Sequence, residues 1–157
     1  MPQVFLEGWA RPLLVLHALA GFALAGACTH QAVVGVQLWR GRAHLARLAR
    51  VYAQVIGALF ALAFAAGLLL YPHYRYHVRG LYLDRYEPWA SNLFDMKETV
   101  LALGLPLALA LFAVGRRLEP SREAELVPMF AAFAVALWAL VLFGVISGVV
   151  VTSVRGV

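Results

Sequence analysis

The chain has 157 residues, of which 63% are hydrophobic and only 13% charged, and its formal net charge is +5. Globular domains run at roughly 45–50% apolar and 25% charged residues, so a water-soluble fold is excluded and an all-α integral membrane protein is expected. The lone cysteine, Cys28, excludes an internal disulfide, a cysteine-based zinc or iron–sulfur centre and a quinone-linked oxidoreductase working through cysteine pairs.

A hydrocarbon core about 30 Å thick takes a helix of roughly 20 residues. Four apolar stretches reach that length, at about 12–39, 51–71, 97–114 and 126–151. Alanine and leucine dominate them, which favours helix, and a helix satisfies its own backbone hydrogen bonds in lipid. The expected architecture is one domain, 1–157. It is a bundle of four transmembrane helices with an outer interfacial loop between the second and third.

The first residues, 1–11, set Phe5, Leu6 and Trp9 against Gln3, Glu7 and Arg11. This amphipathic piece is expected on the outer interface, before Pro12 opens the first helix. The first helix is rich in small residues (Ala18, Gly21, Ala25, Gly26 and Thr29) that let helix backbones approach closely. It also carries His17 and His30, and ionisable groups inside a membrane are functional candidates by default. Their separation turns them about 140° apart around the helix and roughly 20 Å apart along it. One helix face therefore cannot present both to a pair of stacked haems, and no other predicted helix holds a partner histidine. His30 lies deepest, beside Thr29 and Gln31. It is read either as a neutral side chain bonded to a carbonyl or to Gln54, or as a ligand or a step in a proton path.

Arg40, Arg42, Arg47 and Arg50 crowd the link to the second helix with no acid among them. The positive-inside rule assigns that link to the cytoplasm. Both termini and the 71–95 loop then face outward, and a bacterial inner membrane is the expected location. Arg116, Arg117 and Arg122 in the last link vote the same way. The arginines account for the basic charge as contacts to anionic lipid, not to nucleic acid.

Residues 71–98 are the polar, aromatic-rich interruption. Pro72, Gly80 and Pro88 divide them, with short helical pieces expected over 74–79 and near 81–85. Tyr71, Tyr74, Tyr76, Tyr82, Tyr86 and Trp89 supply an aromatic belt at headgroup level. Asn92 is expected to cap the third helix, with Asp95 near the positive end of its dipole.

This topology gathers His17, His73, His77, Arg75, Arg79, Asp95 and Glu98 in one leaflet. Such a set can ligate a haem b, bind a quinone whose carbonyls accept from histidine or arginine, or coordinate a divalent metal. A lone Glu98 carboxylate in hydrocarbon would cost roughly 2–3 kcal/mol. Glu98 is therefore expected to face protein, in one pocket with His17, and to meet Arg75, Arg79 or a histidine.

No nucleophile, base and orienting group occur together at a recognisable spacing, so catalysis by the chain alone is not expected. No helix has the regular polar stripe of a pore. The resulting reading is a small accessory or anchor subunit of a respiratory or photosynthetic electron-transfer complex, with haem b or quinone as cofactor. A purely structural subunit that binds no cofactor is the alternative, and a homo-oligomeric channel or transporter the weaker one. Other membrane subunits and lipid are the expected partners, reached through close-packing faces at 21–25 and 144–148.

Overall fold

Where side chains offer the backbone no partner, the chain makes its own, and the long apolar runs become helices. In the computed structural model, which describes residues 4–119 and 123–156, α1 spans Ala10–Trp39, α2 Ala46–His73, α3 Pro88–Arg117 and α4 Leu126–Val154. The first three residues of the amphipathic leader, and Arg122 of the last link, lie outside the described residues. All four helices are long and apolar enough to cross a membrane, and there is no strand among the described residues. With 28 to 30 residues each, they measure about 42–45 Å. That exceeds the thickness of a hydrocarbon core, about 30 Å.

The α1 helix packs on α2 and α4, and α3 packs on the same two. Consecutive helices are thus neighbours in an up-down-up-down ring. The start of α1, the end of α2, the start of α3 and the end of α4 meet at one end, rich in tyrosine. The opposite end holds the two remaining links and the Arg40–Arg50 cluster.

The core runs through Ile56, Phe60, Leu111, Phe130 and Leu137, all 5% exposed or less. Small residues close the seams around it. A Cβ on Gly35 would stand 3.3 Å from the Ala131 Cα, and one on Gly115 would stand 2.7 Å from the Ala53 Cβ. Gly144 packs inside the bundle against Leu101, so the face expected to receive a partner is used internally there. Gln31 is fully buried and donates from Nε2 to the Ala49 carbonyl at 3.0 Å, tying α1 to α2.

The largest departure from expectation lies between α2 and α3, where the outer loop is not found. Helix α2 runs to His73 and continues as a π-helix over Tyr74–Leu83 and one α-turn over Asp84–Tyr86, before Glu87 breaks the path. Pro72 has no N–H to offer the Leu68 carbonyl, which weakens the α-ladder at that point. The ladder resumes in the wider register instead of ending. Tyr74, Val78 and Leu83 are buried against Ala90, Phe94 and Val151, and this second core holds the segment in place. Pro88 opens α3, a position where its missing N–H costs nothing. Asn92 therefore lies inside the helix, exposed, and does not cap it.

Candidate functional site

A cavity of about 750 Å³ lies among the four helices toward the tyrosine-rich end. Leucine, valine, alanine, phenylalanine and glycine make up most of its wall. Its volume falls in the range of small-molecule sites, about 300–1,000 Å³. Val15 and Phe22 of α1, with Phe64 and Leu68 of α2, line the cavity and are also exposed on the outside of the bundle. The space therefore opens sideways through the apolar surface.

His17, Lys97, Glu98, Tyr71 and Tyr74 bring polar groups to this wall. Nδ1 of His17 lies 2.8 Å from the Ala63 carbonyl. A carbonyl only accepts, so Nδ1 carries the proton, and in the neutral ring Nε2 keeps its lone pair. Gly67 makes room for the ring, since a Cβ there would stand 3.1 Å from His17 Cε1. The Tyr74 ring stacks on Phe94 at 4.3 Å between centroids, and its hydroxyl is buried without a hydrogen-bond partner. Lys97 extends over Phe94, its Nζ 4.6 Å from the ring centroid. Glu98 is half-buried and makes no hydrogen bond or ion pair among the described residues.

The structure thus brings His17 and Glu98 to one cavity, but the partners expected for Glu98 are engaged elsewhere. Arg79 donates to both carboxylate oxygens of Asp95, from Nη2 at 2.8 Å, and its Nε lies 3.5 Å from Asp84. Asp84 also accepts a hydrogen bond from the Ser91 hydroxyl. Arg79 therefore fastens the π-helix to α3, and Asp95 serves this clamp. Arg75 is exposed and donates to the Tyr71 hydroxyl at 3.2 Å.

His73 and His77 form a separate group. Their rings lie 4.6 Å apart, and His77 Nε2 is 3.2 Å from a carboxylate oxygen of Glu7. Glu7 sits on the short 3₁₀ turn Glu7–Trp9 ahead of α1. His30 joins neither group. It is exposed on α1 toward the arginine-rich end and stacks on Tyr52 at 4.4 Å, with no bond to Gln54.

Sequence reasoning missed Lys97, Glu7 and the role of the Tyr74 hydroxyl. Lys97 was counted only as the start of a helix, and Tyr74 only as part of an interfacial belt. No local pattern announces that a tyrosine hydroxyl will be enclosed without a partner. Comparison with known proteins gives no match: no family model, no curated protein and no solved structure aligns with the chain.

Proposed function

We propose that the protein is a small membrane subunit that holds a lipid-soluble quinone in the cavity between its helices, within a larger electron-transfer assembly. One observation carries this reading: an apolar, sideways-open cavity lined by His17, whose Nδ1 is held by the Ala63 carbonyl, and by Tyr74, whose buried hydroxyl has no hydrogen-bond partner. A quinone pairs an apolar ring and tail with two polar oxygens. The Tyr74 hydroxyl donates to a ring carbonyl, and the His17 Nε2 accepts from the hydroxyl of the reduced form. Glu98, adjacent to Lys97, supplies a carboxylate that exchanges the proton. The lateral opening lets a tail dissolved in lipid pass without crossing water. With the arginine cluster toward the cytoplasm, this site lies in the outer leaflet. The apolar outer faces of the bundle meet lipid and the neighbouring subunits.

A second reading rests on the same histidine. A metal-bound imidazole commonly donates its other nitrogen to a backbone carbonyl, as His17 does to Ala63, so Nε2 also suits the iron of a haem b.

Protein extracted in mild detergent is expected to retain about one quinone per chain in organic extracts. His17→Ala and Tyr74→Phe should each cut that retention several-fold while leaving the helical circular-dichroism signal unchanged. Retention equal to that of the unmodified chain in both variants would overturn the quinone reading. A reduced-minus-oxidised absorption band that His17→Ala abolishes would replace it with haem. Absence of both ligands would leave a structural subunit.

A further inference from the structure

We infer that Glu7, His73 and His77 form a binding site for a divalent transition-metal ion, separate from the cavity that would hold the quinone. One ligand atom from each residue lies within 4.8 Å of the other two. None of the three residues lines the large cavity. Glu7 and His73 instead border a second space of about 400 Å³ at the start of α1.

The arrangement is poorly explained as a hydrogen bond. His77 Nε2 stands 3.2 Å from a Glu7 oxygen, yet that nitrogen is buried and lacks a properly directed hydrogen-bond partner. The oxygen therefore lies off the axis along which the ring would donate. A cation on that axis meets both atoms without such alignment. Tetrahedral ligand atoms at about 2.0–2.1 Å from zinc stand roughly 3.3 Å from one another, which is close to the separation found. His73 Nδ1 is buried and unpartnered as well.

Two features of the backbone supply the geometry. The histidines are four residues apart across the junction of α2 with the π-helix, so both present toward the same side. Leu6, immediately ahead of the turn that carries Glu7, has φ 58° and ψ 27°. That left-handed conformation is unfavourable for a leucine and persists where surrounding contacts demand it.

Imidazole nitrogen with carboxylate oxygen selects zinc and its transition-metal neighbours over magnesium or calcium. Three protein ligands leave a position for water or a further group. Arg11 also borders the smaller space, and Glu7 is the one carboxylate there among the described residues. Glu7 therefore carries the charge balance of the site.

The test uses the full chain in detergent, purified without a histidine tag and titrated with Zn²⁺ or Co²⁺ alone against a chelator of known affinity. One ion per chain is expected, with a Co²⁺ visible spectrum of nitrogen and oxygen ligands. Loss of an outer-shell partner alone lowers metal affinity by about 10–100-fold, so His73→Ala and His77→Ala should lower it at least as much. Glu7→Gln precedes the helices and leaves their cores intact, so its tenfold or greater loss is readable even if a histidine variant misfolds. His44→Ala, at the arginine-rich end, should change nothing. Absence of stoichiometric binding, or binding unaltered by Glu7→Gln and both histidine changes, would overturn the site.

Discussion

Gly115→Leu should abolish the folded bundle, and Gly115→Ala should lower its stability by up to about 2 kcal/mol. An alanine Cβ at this position would stand 2.7 Å from the Ala53 Cβ and 3.3 Å from the Phe130 ring. Ala53 is buried and its Cβ sits rigidly on α2, so nothing flexible can yield. Overpacking a core costs about 1–3 kcal/mol. Against this, replacing glycine in a helix interior gains roughly 1 kcal/mol for alanine. For alanine the steric term equals or exceeds the gain, leaving a net loss of up to about 2 kcal/mol. For leucine the steric term grows with every added carbon while the propensity gain does not, so clash dominates. Gly26→Leu is the matched comparison, because nothing lies within 4 Å of a Cβ there. It should keep or slightly raise the melting temperature measured by circular dichroism in detergent. If Gly115→Leu melts with the unmodified protein, the α2–α3 seam does not close on this glycine.

Arg79→Ala should release the π-helix while the four long helices remain. The guanidinium bonds both oxygens of Asp95 and contacts Asp84, joining Tyr74–Leu83 to α3. Charge-assisted hydrogen bonds contribute about 1.5–3 kcal/mol. The two aspartates are 46–48% exposed, however, and exposed pairs typically contribute no more than about 1 kcal/mol. A bidentate pair in a small network falls between these limits, so the local effect should be roughly 1–2 kcal/mol. Hydrogen exchange in residues 74–83 should accelerate about five- to thirtyfold by the corresponding Boltzmann factor, with little change in α1 or α4. Reversing both charges, Arg79→Asp with Asp95→Arg, should restore part of the protection. Uniform acceleration across all helices would show that the clamp supports the whole bundle. Because this segment carries Tyr74 and His77, both proposed sites should weaken together.

The four membrane-length helices were legible in the sequence because length and apolarity alone decide them. A run such as 126–151 has almost nothing polar to present to water and no other way to satisfy its backbone. The meeting of His17 and Glu98 at one cavity was also legible, since alternating helices put the start of α1 at the same end of the bundle as the start of α3. Helical pieces over 74–79 and near 81–85 were legible, but their continuation from α2 was not, because tyrosines, arginines, Pro72 and Gly80 erase the apolar periodicity that marks a helix. What keeps residues 74–83 helical is a wider hydrogen-bond register and burial against Ala90, Phe94 and the chain-distant Val151. Tertiary structure alone decided which partner Arg79 takes, that Tyr74 encloses its hydroxyl, and that Glu7 meets His77. Each depends on where two separate segments stop relative to one another. Composition determines that a segment is a helix long and apolar enough to cross a membrane, but side-chain pairing is set by distances of a few ångströms, which only packing fixes.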